Sequence, residues 1–229
     1  MQAEFWLERW EQNQIGFHEQ EINSHLQNYW SKLNLPKKSK IFVPLCGKSS
    51  DMLWLLAQGY EVLGVELSPL AVQVFFAENQ LDAKVSDCGA FQHWEMEGLS
   101  IYQGDFFALT SEDLVGCNAI YDRASLIALP VEMRQKYAKH LKQVAPSLTD
   151  TLLITLEYDQ SEMQGPPFSV SEQEVDSLFG EACEIECLFA KDSLEENEHL
   201  KNRGLGHLME KVYWLNKCSV EVKNNLINT

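Results

Sequence analysis

The sequence predicts an α/β fold with a mainly parallel sheet, and three observations support this class. Short runs at 40–46, 61–67 and 151–158 carry apolar residues at successive positions, as strands buried on both faces do. Segments with apolar residues at helical spacing separate these runs. Strands and helices therefore alternate along the chain, which is typical of a parallel sheet with helices packed on it.

The helices are predicted from their apolar spacing and from capping residues. Residues 22–33 and 131–145 each place their apolar side chains on one helical face, so both are expected to pack on the core. Ser68 and Pro69 suit the N-cap and the first helical position, and Ser171 opens a capping box. The predicted helices are 3–12, 22–33, 51–58, 69–78, 131–145 and a segment that follows Ser171.

Further strands complete the predicted elements. They are expected at 99–103, 118–122, 183–190 and 208–215. Residues 81–98 lack a clear period and contain Gly, Asp and Ser, so a loop or a hairpin is expected there. A chain of 229 residues without repeats or a linker suits a single domain.

Composition and charge exclude several classes of function. The net charge is −16, and such a surface repels phosphate backbones, so nucleic acid is a poor partner. We attribute the charge to solubility. No apolar run approaches the roughly 18 residues of a membrane span, and the acidic N-terminus lacks the basic start of an export signal. A cytoplasmic protein without membrane contact is therefore predicted.

The cysteines indicate neither a disulfide framework nor a metal site. The six of them stand at 46, 88, 117, 183, 187 and 218. No pair has the C-x-x-C spacing, and no histidine pair follows at zinc-finger spacing. Reduced thiols and no bound metal are therefore expected.

The turn after the first strand, Pro-Leu-Cys-Gly-Lys-Ser at 44–49, resembles a nucleotide-binding turn but is not one of the common types. A phosphate loop needs an additional glycine at the position of Phe42. A dinucleotide fingerprint needs three glycines, and Gly47 stands alone here. The turn is therefore not expected to hold a diphosphate.

Glu66 ends the second strand, about 20 residues beyond the turn. An acid at this position can accept hydrogen bonds from both hydroxyls of a ribose. A nucleoside without a pyrophosphate would fit, and S-adenosylmethionine is such a ligand. The residues alone leave an exposed acid at a strand end as an equal alternative.

Charged residues also follow two later strands. Asp105 follows the strand at 99–103 and could accept from the amino group of an adenine, and Phe106 could pack on the base. Asp122 and Arg123 follow the strand at 118–122, and Arg123 is expected in the same crevice, because ligands of open α/β sheets lie at the carboxyl ends of the strands. The alternative for the last two residues is a solvated or structural pair.

Several long stretches of the sequence resemble the bacterial thiopurine S-methyltransferase family. They cover residues 5–215 and read FWLERWEQNQIGFHE, VPLCGKSSDMLWLLAQGYEVLGVELS, QGDFF, YDRASLIALP, LEYDQSEMQGPPFSVSEQEV and EKVYWL. The resemblance implies a class I methyltransferase (Rossmann-like) fold: a doubly wound, seven-stranded, mostly parallel sheet whose last strand is antiparallel. It also implies an N-terminal helical cover at 1–35, a core at 36–215 and a tail at 216–229.

The resemblance further implies an activity and a set of site residues. The activity is transfer of a methyl group from S-adenosylmethionine to the sulfur of an aromatic or heterocyclic thiol such as a thiopurine. Apart from the resemblance, a monomer is expected. The cofactor contacts implied by the resemblance are Trp10, Leu45, Glu66, Asp105, Phe106 and Arg123, and Phe17 faces the acceptor. The charge of Arg123 could also favour an anionic acceptor. His18 is interpreted as a packing residue, and Arg203 receives no role.

Two other functions stay open at this point. A methyltransferase of the same fold could act on selenium or tellurium species. A nucleoside-binding regulator without catalysis would use the same cofactor residues. Turnover of the cofactor separates the regulator from the enzymes, and a panel of acceptors separates the two enzymes.

Overall fold

The structure is a computed structural model, and it describes residues 3–14, 19, 21–145 and 150–217. Within them one sheet has the order β3-β4-β5-β2-β1-β6-β7-β9-β8. The strands are β1 Lys40–Val43, β2 Glu61–Glu66, β3 Lys84–Cys88, β4 Phe91–Met96, β5 Leu99–Gln103, β6 Cys117–Asp122, β7 Asp150–Glu157, β8 Cys183–Asp192 and β9 Met209–Lys217.

The sheet is mostly parallel, as the alternation of strands and helices predicts. The five central strands, from β5 to β7, are parallel to one another. Only β4 and β9 run against the strands beside them, so seven of the nine described strands point the same way. The last described strand, β9, is antiparallel to β7, as expected.

The expectation of seven strands is wrong, because the described sheet has nine. The two additional strands, β3 and β4, form a hairpin on the edge of β5, within the region expected to be a loop or a hairpin. Every residue of β3 is exposed, so its sequence carries no apolar run that would mark it as a buried strand.

Six of the eight described helices lie in predicted segments, whereas the short helices α5 and α8 were not predicted. They are α1 Ala3–Glu11, α2 Ser24–Tyr29, α3 Asp51–Ala57, α4 Pro69–Glu78, α5 Ser125–Ala128, α6 Val131–Val144, α7 Glu172–Phe179 and α8 Glu198–Lys201. Ser68 and Ser171 cap α4 and α7 with their side chains, as the capping signals predict. No helix in the described part of the chain has both the length and the apolar character of a membrane span.

Two apolar clusters cover the opposite faces of the sheet. Neighbouring residues of a strand point to opposite faces, and Ile41 and Phe42 accordingly belong to different clusters. The cluster of Phe42 includes residues of α6 and α7, and the cluster of Ile41 includes residues of α2, α3 and α4. Helices therefore pack on both faces, which is the doubly wound arrangement.

The N-terminal region divides into a buried part and a part near the crevice. Leu26 of α2 and Trp30, which starts a short 3-10 helix, are core residues. The segment predicted as one helix at 22–33 begins later because Asn23 is its N-cap and accepts from the N–H groups of His25 and Leu26. Leu26, Trp30 and Leu33 thus pack into the core.

Candidate active site

The carboxyl ends of β1, β2, β5 and β6 meet at one edge of the sheet. Since β2 lies on one side of β1 and β6 on the other, the strand order reverses beside β1, and ligands of such sheets bind at this switch point. A pocket lies there. Its lining consists of Trp10, Val43, Pro44, Leu45, Cys46, Gly47, Lys48, Ser49, Asp51, Tyr121, Arg123 and Ala124.

Glu66 is buried at the end of β2, beside the turn that follows β1. Its two carboxylate oxygens accept from different backbone amides, Oε2 from Gly47 N at 2.8 Å and Oε1 from Ser68 N at 2.7 Å. Burial raises the pKa of Glu66, although these hydrogen bonds act in the opposite direction. The carboxylate therefore holds the β1–α3 turn against the start of α4. Sequence reasoning foresaw neither bond.

The β1–α3 turn needs an unusual backbone conformation. Leu45 and Gly47 both have left-handed φ values, +46° and +53°. A Cβ on Gly47 would lie 3.3 Å from Cζ2 of Trp10, so the indole of α1 packs directly on the turn. A side chain with positive φ is uncommon outside glycine and asparagine, and Leu45 is held there where the turn lines the pocket. Burial and the charge of Glu66 raise the pKa of the neighbouring Cys46 thiol.

Arg123 lies at the same pocket between two carboxylates. Its Nη1 is 3.4 Å from Oδ2 of Asp51, and its Nη2 pairs with Glu19. Burial alone lowers the pKa of Arg123, but Glu19, Tyr121 and Asp51 together outweigh it and raise the pKa. The guanidinium is therefore a fixed positive charge at the pocket, as its position after β6 predicts.

Asp51 is the pocket residue that sequence reasoning missed. The sequence predicts it only as the first residue of a helix. In the structure its Oδ1 accepts from Asn23 N at 2.8 Å, and its Oδ2 accepts from Tyr121 Oη at 2.9 Å. Burial, then the charge of Asp51, raises the pKa of Tyr121 well above its ordinary value. An acid at the first position of a helix is so common that the sequence carried no signal for this cluster.

Asp122, the neighbour of Arg123, is buried and hydrogen-bonded to other parts of the fold. Its Oδ1 accepts from Ser125 N at 3.1 Å, and its Oδ2 accepts from Tyr137 Oη at 2.6 Å. The hydroxyl of Ser125 donates to the Pro44 carbonyl at 2.8 Å. Burial raises the pKa of Asp122. This carboxyl therefore connects the loop after β6 to α6 and, through Ser125, to the β1–α3 turn.

Asp105 and Phe106 lie at the carboxyl end of β5 but differ in exposure. Asp105 is exposed, and its side chain accepts from Phe107 N at 2.9 Å. The ring of Phe106 is buried in the core, where it stacks on Tyr137 with 4.8 Å between ring centroids. A base beside this loop would therefore meet the backbone of Phe106 rather than its ring.

The acceptor side of the site is only partly described. Phe17, the residue expected to face the acceptor, and His18 lie outside the described residues. In the Gly-Pro-Pro-Phe loop at 165–168, the carbonyl of Pro166 accepts from Arg203 Nη1 at 3.1 Å. Arg203 thus contacts this loop. In the described part of the chain, no group of three or more His, Cys, Asp or Glu side chains could hold a metal ion.

Solved structures with low sequence identity share the fold. A SAM-dependent methyltransferase from Anabaena variabilis ATCC 29413 is 14% identical, with a TM-score of 0.59 over 93% of this chain and 95% of the other. The 1,6-didemethyltoxoflavin-N1-methyltransferase of Burkholderia thailandensis, solved with bound 1,6-didemethyltoxoflavin and S-adenosylhomocysteine, is 12% identical, with a TM-score of 0.58 over 94% of this chain and 87% of the other. These similarities concern the fold alone.

Much closer sequence relatives carry one name. A protein of Pseudomonas aeruginosa (strain UCBPP-PA14) named thiopurine S-methyltransferase is 49% identical over 95% of this chain and all of that protein. Proteins of the same name from Pseudomonas fluorescens (strain Pf0-1) and Nitrosospira multiformis are 48% and 47% identical over 93% and 94% of this chain and 98% of each relative. The profile of the family described as thiopurine S-methyltransferase (TPMT) matches residues 1–218. Because this profile covers every described strand and every residue of the pocket lining, the chain belongs to the thiopurine S-methyltransferase family.

Proposed function

We propose that this protein transfers a methyl group from S-adenosylmethionine to the sulfur of aromatic and heterocyclic thiols such as thiopurines. The observation that carries the proposal is the buried Glu66 carboxylate at the switch-point pocket, beside a turn that lacks a diphosphate-binding pattern, in a chain of this family. The relatives' names favour a thiol acceptor over selenium or tellurium species and over a regulator without catalysis.

The residues of the pocket fit a nucleoside with a sulfonium. Oε2 of Glu66 accepts from Gly47 N and Oε1 accepts from Ser68 N, and a carboxylate oxygen can accept a further hydrogen bond, here from a ribose hydroxyl. The Trp10 indole lies against Gly47, and an aromatic face attracts a cation. Lys48, the lysine of the turn, forms an ion pair with Glu78 at 2.8 Å, so its charge is already compensated and is not directed at a phosphate.

The other predicted cofactor contacts follow from the loops around the pocket. Leu45 would contribute backbone groups, because its left-handed conformation belongs to the turn that lines the pocket. Asp105 is exposed and keeps acceptor capacity for an adenine amino group. Phe106 would take part through its backbone. Phe17 remains the predicted acceptor contact.

S-Adenosylmethionine supplies an already activated methyl group on a sulfonium. The chain therefore has to align two reactants, and alignment alone can contribute about 7–11 kcal/mol. Arg123 would favour the anionic form of a thiol acceptor through its fixed charge. Burial raises the pKa values of both Cys46 and Tyr121, so both hold their protons at neutral pH and neither would serve as the base. Acidic heteroaromatic thiols can lose their proton to water.

Several broader features belong to the same proposal. The protein would act as a single-domain monomer in the cytoplasm, without nucleic acid or membrane as partner. Residues 1 to about 20 would form the cover of the crevice. Light scattering of the purified protein would contradict the monomer if it gave twice the chain mass of 26.2 kDa.

The decisive experiment is a turnover assay with labelled S-adenosylmethionine. The acceptors are a panel of aromatic and heterocyclic thiols that includes 6-mercaptopurine. Hypoxanthine is the matched control for 6-mercaptopurine, because it carries oxygen in place of the sulfur. We expect label on the thiols and none on hypoxanthine. Binding of S-adenosylhomocysteine without transfer to any thiol would contradict the proposed activity and favour a regulator.

A further inference from the structure

Asp51 is a buried carboxylate whose partners come from three parts of the chain. It is 1% exposed and begins α3. Asn23, at the start of α2, donates its backbone N–H to Oδ1. Tyr121 of β6 and Arg123, just beyond that strand, both donate to Oδ2. The carboxylate thus connects the switch-point pocket to the segment that enters the core from the N-terminus.

The charge of Asp51 has a specific partner. A buried carboxylate is costly unless a cation compensates it. Arg123 is the cation that contacts Asp51 in the described part of the chain, because Lys48, the other cation of the pocket lining, pairs with Glu78. The burial of Asp51 is therefore coupled to the position of Arg123.

The two carboxylates that contact Arg123 are not equivalent. The side chain of Asp51 is 1% exposed and fixed by three donors, whereas the side chain of Glu19 is 60% exposed. A ligand group can exchange with an exposed partner, but the buried partner keeps its contacts. Asp51 consequently determines where the guanidinium stands when a ligand occupies the pocket.

We propose that Asp51 is a positioning residue for methyl transfer, and that it acts by holding the Arg123 guanidinium at the pocket. The inference rests on the proposed function, in which Arg123 acts on the cofactor or on the acceptor. Asp51 itself need not touch either reactant. Tyr121 and Asn23 fix the carboxylate, and the carboxylate fixes the arginine.

The first test measures Arg123 directly and needs no turnover. The chain has four arginines, Arg9, Arg123, Arg134 and Arg203, so its arginine side-chain ¹⁵N spectrum is small enough to assign by Arg123→Lys. In the wild type, a guanidinium held by Asp51 should rotate slowly. Asp51→Asn keeps the size of the side chain but removes its charge, and it should speed rotation at Arg123 alone. An unchanged Arg123 signal would overturn the inference.

The second test is a double-mutant cycle on kcat/KM. Asp51→Asn should lower kcat/KM about tenfold, a coupling of the size found for residues in one network. In the Arg123→Ala background the same change should cause no further loss, because the group through which Asp51 acts is gone. Losses that multiply would show that Asp51 acts independently of Arg123 and would overturn the inference.

A matched control separates positioning from general stability. Glu174 forms another carboxylate–arginine pair in the described part of the chain, between α6 and α7, with the buried Arg134 at 2.7 Å. Glu174→Gln should lower Tm and leave kcat/KM as in the wild type. If it reduced kcat/KM as much as Asp51→Asn does at equal loss of Tm, the effect of Asp51 would be structural and the inference would fail.

Failure of the proposed function would give a different result. A wild-type chain that transfers no methyl group would refute the function, and the arginine spectra would then decide alone whether Asp51 holds Arg123. Should Asp51→Asn not fold, Asp51→Glu retains the charge. Slow Arg123 rotation in that variant would support the inference, and fast rotation would overturn it.

Discussion

Burial and hydrogen bonding act in opposite directions on the Glu66 carboxyl group. Burial raises its pKa, while N–H groups of Ser68, Gly47 and Leu67 lower it, and burial prevails. The folded pKa thus lies above the unfolded one. Between those two values the native state holds more protons than the unfolded state, so this group's contribution to stability falls as pH rises through that window. Below the window the contribution is fully present.

We predict that Glu66→Gln weakens binding of S-adenosylhomocysteine by about 1.5–3 kcal/mol, the range for hydrogen bonds to a charged group. An amide offers one acceptor oxygen where the carboxylate offers two. Calorimetry on the folded variant measures the loss. Wild-type affinity should also fall on acidification through the raised pKa, and the variant should lack this step. Equal affinities with the same pH profile would contradict a ribose contact.

At the scale of the elements, the β1–α3 turn lines the pocket, and its shape depends on the left-handed backbone conformation of Gly47. Gly47→Ala should destabilise the protein by about 1–2 kcal/mol, the cost of a left-handed non-glycine residue. It should also displace Trp10, which lies 3.3 Å from the added carbon. We therefore expect a lower Tm together with weaker binding of S-adenosylhomocysteine.

Gly116→Ala is the matched control for that prediction. Gly116 also has a positive φ, +82°, but an added Cβ would meet nothing within 4 Å. It precedes β6, at the edge of the sheet opposite the crevice. Its substitution should reduce stability and leave ligand affinity unchanged. Equal effects of the two alanines on affinity would argue against the contact between Trp10 and the turn.

The elements could be predicted where local signals were strong. Ser68 and Ser171 marked two helix starts because capping is local, and the central strands carried continuous apolar runs. The β3–β4 hairpin left an ambiguous pattern because β3 faces solvent at every position. The later start of the helix predicted at 22–33 was missed because the Asn23 cap lies inside a segment whose apolar spacing continues past it.

The site could be predicted only to the extent that strand ends determine it. Glu66 and Arg123 follow parallel strands, so their place at the crevice follows from topology. The contact of Asp51 with Tyr121 depends instead on how α3 packs on a strand 70 residues away, and a single sequence carries no signal of that distance. The burial of the Phe106 ring depends likewise on α6.

At the scale of the whole molecule, the N-terminal segment contributes Trp10 to a pocket formed by the α/β core. Trp10 is 6% exposed and lies against Gly47, so ligand binding and the position of α1 should be coupled. We predict that amides in residues 3–14 exchange more slowly with solvent when S-adenosylhomocysteine is bound, as in lids that exclude water.

Hydrogen exchange with mass detection measures this protection, and the amides of α6 serve as the internal reference. Their rates should not depend on the ligand, because α6 packs on the sheet face of the Phe42 cluster. Equal exchange in residues 3–14 with and without ligand would contradict a cover that closes.

The place of β9 has a consequence for biosynthesis. β9 lies between β7 and β8 although it follows both in the sequence, and β8 pairs with β9 alone among the described strands. Chains emerge from the ribosome N-terminus first, at about 5–20 residues per second. The strands up to β7 can pair as they appear, but β8 must wait for β9. A ribosome that pauses before Met209 therefore leaves two strands, rather than one, outside the sheet.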